Sequence, residues 1–180
     1  MTRIGLNLLY LIPDVVGGTE TYARGLLRGM STQNKRYQIV LFINRETAAE
    51  LPDEFSCCER IVCPVNATHR EKRYFFEQVH LPRLLKENGI ALLHSLGYTA
   101  PLFAGCPSVV TVHDLNFKAF GQSMPWVRRS ALAFFVRGSL VRSDRVITVS
   151  EFSRREILSS YNLDPYKVVV IHEAALVPDS

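Results

Sequence analysis

The chain has 180 residues, 47% hydrophobic and 21% charged, with a net charge of +4. One domain with a full core fits that length, and a disordered chain does not fit that composition. The mildly basic balance suits a phosphate-bearing ligand or an anionic membrane surface, and no apolar stretch approaches the roughly 20 residues that span a bilayer.

Strand-like and helix-like segments alternate from the start. Residues 4–11 are an apolar run interrupted only by Gly5, Asn7 and Tyr10, which predicts a buried strand. Pro13 breaks the run too early for a secretory leader. Tyr22, Leu26 and Met30, each four apart, predict a helix over 19–30. Residues 38–43 predict a second strand and 60–64 a short third. Residues 69–88 carry charge on one side and Phe75, Val79 and Leu85 on another, a helix that Pro82 bends or breaks and Gly89 can end. Four more apolar runs of strand length follow at 90–94, 108–112, 145–149 and 168–171. Between them lie helix patterns at 126–142, rich in Ala, Leu and Phe, and at 153–161, where Ser153 and Glu156 have capping-box spacing. The repeated alternation predicts an α/β, Rossmann-like, doubly wound, mostly parallel sheet of about seven strands, the first near its centre, with helices on both faces.

Cys57, Cys58, Cys63 and Cys106 read as reduced thiols of a cytoplasmic protein. No CxxC pair repeats, and a bridge between the adjacent Cys57 and Cys58 would be strained. His69, His80, His94 and His172 show no metal-ligand spacing and read as structural, so no metal is expected.

Ligands of open parallel sheets bind beyond the carboxyl ends of the strands, and the polar, glycine-containing turns collect there. After the first strand come Gly17, Gly18 and Thr19. Paired glycines let a backbone approach a ligand closely, Thr19 can cap the next helix, and the free amides there favour an anion. A plain flexible turn fits equally. The spacing is not GxGxxG, and Asn44-Arg45 after the second strand offers no acid for a ribose, so a nicotinamide site is disfavoured; a P-loop is absent. Ser95, Gly97 and Tyr98 follow the fourth strand, His113-Asp114 the fifth, and Ser150-Glu151 the sixth. A strand-end His in a cleft can hydrogen-bond a sugar hydroxyl or bear on a developing charge, or it can simply satisfy backbone groups. Glu20 and Glu151 can bind hydroxyls or merely favour the first turns of their helices. The segment from His69 to Phe76 interleaves Arg70, Lys72 and Arg73 with Tyr74, Phe75 and Phe76, the pattern of a lipid-facing helix or of a solvated face over a buried stripe. Glu71, Glu77 and Glu87 dilute the positive charge against nucleic acid.

Five stretches together resemble glycosyltransferase family 4: Gly17-Gly18-Thr19-Glu20-Thr21-Tyr22; Phe76-Glu77-Gln78 with Leu81-Pro82; Leu93-His94-Ser95; Thr111-Val112-His113-Asp114-Leu115; and residues 144–153. The resemblance implies an enzyme of the GT-B fold, with two Rossmann-like domains around a cleft. It implies retaining transfer of a hexose, mannose among the candidates, from a UDP- or GDP-sugar to a glycan or lipid-linked acceptor, as in polysaccharide biosynthesis, with no cofactor and no bound metal. Residues 1–172 would be the acceptor-side domain and 173–180 the start of a linker. The donor-binding domain would be absent, leaving these residues inactive alone and free to self-associate. Gly17, Gly18 and Thr19 would lie near the donor phosphates, and His113 near the transferred sugar with Asp114 beside it. Glu20, Tyr22, Ser95, Gly97, Tyr98, Ser150 and Glu151 would supply acceptor or sugar contacts. Family members often carry Asn-Gly after the last strand; here His172-Glu173-Ala174-Ala175 stands instead, and no role is carried over to that turn. The alternatives are a non-catalytic module on the same fold that holds a glycan or docks a partner, and, more weakly, a flavodoxin-like nucleotide-binding domain. The expected place is the cytoplasm, with a peripheral contact on the inner membrane face.

Overall fold

The computed structural model describes residues 1–32, 37–50, 58–115 and 126–173. Among them run β1 (Thr2–Leu8), α1 (Gly18–Thr32), β2 (Tyr37–Ile43), α2 (Arg45–Ala49), β3 (Glu59–Val62), α3 (Arg70–Val79), α4 (Leu81–Glu87), β4 (Leu92–Ser95), β5 (Ser108–Thr111), α5 (Trp126–Arg142), β6 (Arg145–Thr148), α6 (Glu151–Ser160), a 3-10 turn (Pro165–Lys167) and β7 (Val168–Val170). The seven strands form one sheet in the order β3-β2-β1-β4-β5-β6-β7, every pair parallel. The chain order reverses between β1 and β4, which opens a crevice beyond their carboxyl ends.

Register decides which residues face which helices. Val40, Phe42 and Leu93 on one sheet face pack against Phe76, Leu81 and Leu85 of α3 and α4. Farther along the same face, Val110, Val146 and Val168 pack against Val136 and Leu140 of α5 and Ile157 of α6. The opposite face is covered by α1, which places Ala23 and Leu27 on Leu6, Leu8, Leu41 and Ile43. Helices lie on both faces, as the alternation predicts, but unevenly. On the α1 side Val169 and Ile171 stay 41% and 49% exposed.

Several boundaries differ from the sequence reading for local reasons. β1 ends at Leu8 rather than 11, because the Asn7 side chain takes the Leu9 amide and the chain turns, Leu11 N donating to Leu8 O at 3.0 Å. The long helix at 69–88 is two: α3 stops at Val79, His80 caps both helices, and Pro82 sits in the first turn of α4, where its missing N–H costs nothing. Gly89 closes α4 at φ +61°. The capping serine of α6 is Ser150, whose Oγ accepts from Ser153 N at 3.0 Å, not Ser153 with Glu156. Cys63 and Cys106 are free thiols; Cys57 and residues 174–180, within the expected linker, lie outside the described residues.

Candidate active site

The turn after β1 is built by its neighbours. Asn44, fully buried at the end of β2, caps α2 by accepting from Thr47 N and turns its amide onto the carbonyls of Leu9 and Leu11. The Thr47 hydroxyl adds 2.8 Å to Leu11 O. On that floor the chain passes Asp14 and Gly17 at φ 59°, the left-handed region that suits glycine. Glu20 N and Thr21 N donate to Gly17 O, so the amides of Gly18 and Thr19 precede the first intrahelical bond of α1. α1 thus starts one residue before Thr19, and the Thr19 hydroxyl donates back to Val16 O at 3.1 Å instead of capping. A Cβ at Gly18 would meet nothing within 4 Å, so that side is open to solvent or a ligand. Glu20 faces inward: it accepts from Asp14 N at 2.9 Å and pairs with Arg24 at 2.6 Å, which bolts the turn to its helix.

One helical turn beyond Gly18, roughly 6 Å of rise, Tyr22 reaches the end of β5. Its hydroxyl is 3.3 Å from Thr111 Oγ1, which also bonds His94 Nε2 at 2.8 Å. Its ring meets the His113 ring edge-on at 4.8 Å, and the Tyr98 ring lies tilted to His113 at 5.9 Å. Tyr98 is held at φ 64° by a turn through Gly97, where a Cβ would strike the Tyr10 ring. The sequence therefore needs glycine at 97 for packing.

His113 is nine-tenths buried, and its Nδ1 is 3.0 Å from Glu173 Oε1. Nε2 is buried with no hydrogen-bond partner among the described residues. Burial holds the imidazole below its usual range, against Glu173, Asp114 and the Leu96 carbonyl, which all favour the charged ring. Burial, and then the Asp114 carboxylate, raise the Tyr98 phenol. His94, deeper in the sheet, is pushed down to about 4 by burial alone. At neutral pH the edge thus presents a neutral imidazole in contact with two phenols and with the exposed Glu173 carboxylate.

The other expected residues separate from this cluster. Ser95 is fully buried and accepts from Asn7 Nδ2 at 3.2 Å, so it supports β1 instead of facing a ligand. Ser150 spends its hydroxyl on the α6 cap, and Glu151 is an exposed first-turn acid 4.0 Å from Arg154. Sequence reasoning missed Asn44, Thr47 and Glu173. The strand-end rule could have found Glu173, because it follows β7 in the same way that His113 follows β5. Glu77 and Gln78 of α3 act from below: Glu77 receives Asn7 and Thr99, and Gln78 bridges Ala100 O and Leu102 N at 3.1 and 2.9 Å. They clamp the loop that carries Gly97 and Tyr98.

A groove of about 650 Å³ begins at Tyr22, His94 and Glu173 and runs down the α1 side past Gly25, Ile147 and Ile171. It borders the strand-end cleft without being it, since His113 does not line it. Among the described residues no cluster of three or more His, Cys, Asp or Glu is placed to hold a metal ion. No described helix is long and apolar enough to cross a membrane.

A seven-stranded parallel sheet with helices on both faces and its polar turns gathered on one edge is a Rossmann-like, doubly wound α/β domain. Residues 16–174 match the model of Glycosyltransferase Family 4, and the chain belongs to that family. A stretch of 94 residues is 35% identical to glycogen synthase of Clostridium perfringens, covering 42% of this chain and 20% of that protein. Among solved structures, sucrose-phosphate synthase of Thermosynechococcus elongatus superposes with a TM-score of 0.64 at 15% identity, over 96% of this chain and 48% of that one. The UDP-GlcNAc 2-epimerase of Neisseria meningitidis gives 0.61 at 13% identity, over 94% and 46%. These likenesses establish the fold, and an epimerase shares it with a synthase. The chain spans less than half the length of each of these three relatives.

Proposed function

We propose that this chain forms the acceptor-side wall of a retaining glycosyltransferase that moves a hexose, mannose among the candidates, from a UDP- or GDP-sugar to a glycan or lipid-linked acceptor. The observation that supports this reading is the His113 cluster: a buried, neutral imidazole flanked by Tyr22 and Tyr98, one helical turn from the open Gly17-Gly18 turn. The helix start favours a phosphate oxygen. The imidazole and phenols favour sugar hydroxyls, and the Glu173 carboxylate opposes the loss of any proton that His113 gains. Asp114 acts on the same cluster through Tyr98. Ser95, Ser150 and Glu20 serve as scaffold in this reading, and the nucleotide is held by a second half of the enzyme.

The test is transfer from a panel of UDP- and GDP-hexoses by the 180 residues alone, by a longer form carrying the second half, and by the two halves mixed. Activity only when both halves are present is expected, because positioning across a closing cleft supplies much of the rate. Turnover by the 180 residues alone would overturn the division of labour. Glycan binding without turnover in any form would leave a binding module.

A further inference from the structure

The helical layer on the α3–α5 face carries an aromatic and basic surface that the cleft does not use. α5 buries Val136, Ser139 and Leu140. Its outer side repeats a large apolar residue every two turns: Trp126, Phe134 and Val141 are 73%, 63% and 52% exposed. Ser130 and Arg137 are exposed on the same stripe, and the exposed Arg142 flanks it. From 126 to 142 the sequence holds four arginines and no acid. Next to the stripe Arg142 stacks over the 70% exposed Phe103 at 4.6 Å. α3 lies on the same sheet face, joined to α5 by the stacked rings of Tyr74 and Phe135 at 5.0 Å. It adds Phe75, 62% exposed, beside exposed Arg70 and Lys72 and the exposed acid Glu71.

Arginines interleaved with exposed aromatics ask for an occupant both apolar and anionic. A second copy of the same stripe would set arginine against arginine. An anionic phospholipid surface meets both demands: the rings enter the headgroup boundary and the guanidinium groups meet phosphates. We propose that the α3–α5 face, with α5 at its centre, docks on anionic phospholipid membrane. The sequence reading placed such a contact on His69 to Phe76, but Arg73 and Phe76 of that segment are 8% and 7% exposed and belong to the interior. α5 is the crossover between parallel β5 and β6 and runs antiparallel to them, so Trp126 lies at the sheet edge that carries His113. A membrane on this face therefore lies beside the cleft, within reach of a lipid-linked acceptor.

Trp126 is the one tryptophan of the 180 residues, so its fluorescence reads this surface directly. The protein is mixed with phosphatidylcholine vesicles, with and without phosphatidylglycerol, at low and high salt, and binding is followed by flotation. Expected are flotation with the anionic vesicles at low salt, a blue shift of emission, quenching by brominated acyl chains, and loss of all three at high salt. Arg137→Glu with Arg142→Glu should weaken binding by roughly a hundredfold, and Phe134→Ser by roughly tenfold. Both changes lie on exposed positions, and far-UV circular dichroism checks that the fold is kept. No flotation at low salt overturns the proposal. Flotation with Trp126 unshifted and unquenched overturns it too, because another face is then in contact. A lipid-independent blue shift that grows with protein concentration assigns the surface to a second copy and also overturns it. No outcome depends on sugar transfer, so this proposal and the proposed function fail separately.

Discussion

Two carboxylates lie close to the strand ends, and they do opposite work. Glu77 is 3% exposed, and both of its oxygens accept hydrogen bonds, one from Asn7 and one from Thr99. Burial raises its carboxyl even though Arg73, Asn7 and Thr99 all favour the charge. The Glu173 side chain is 42% exposed, and one of its oxygens lies 3.0 Å from His113 Nδ1. A carboxylate wrapped on every side has no capacity left for a ligand and serves as a strut. One that is open to water on one side can adjust its partner's charge at little structural cost. Burial, more than residue type, separates scaffold from chemistry here.

The largest expected effect is on the strut. Glu77→Ala takes one of the two acceptors from Asn7 Nδ2, strands the Thr99 hydroxyl and the Arg73 charge in the interior, and should lower stability by about 3–5 kcal/mol. Chemical denaturation measures it, and a loss under about 1 kcal/mol would mean that the network is dispensable.

Acid should weaken the same region through His94. Its folded pKa of about 4 lies below the ordinary 6.5, so the unfolded chain binds more protons between those values. The stability is present above pH 6.5 and is lost as pH falls to about 4, by up to roughly 3 kcal/mol. Glu77, raised, has the opposite sign: its contribution falls as pH rises from the ordinary carboxyl value through its folded one. His94→Gln should flatten the acid limb of a pH–stability curve. An unchanged limb would place the acid sensitivity elsewhere.

On the chemical side, His113→Ala in the complete enzyme should slow turnover by about a hundredfold, while the denaturation midpoint moves little. Near-normal turnover would reduce His113 to a packing residue between the two tyrosines. The smallest effect belongs to Glu173→Gln. Loss of the carboxylate should lower the His113 pKa further, read by NMR of the imidazole nitrogens. A partly exposed pair of this kind should change turnover by about fivefold or less. An unmoved His113 titration would uncouple the two residues and erase the contrast with Glu77.

Much of the fold was legible in the sequence. Apolar runs of strand length alternating with helical stripes determined a parallel, doubly wound sheet, because strands buried on both faces must be apolar throughout. A parallel sheet in turn places the turns at Gly17, Gly97, His113 and Ser150 on one edge, so the position of a cleft followed from the pattern. The roles of individual side chains did not. Ser150 and Ser153 are both plausible caps until the backbone chooses the first. Glu20 resembles a ligand-facing acid until Arg24 and the Asp14 amide claim it. Glu77 sits in a stretch that reads as a charged helix, yet it points into the interior. Glu173 meets His113 across 60 residues of chain. Local periodicity reports which face of an element is buried. Only the register of β1, β4, β5, β6 and β7 determines which distant side chains arrive at the same point, and that register is a property of the packed sheet.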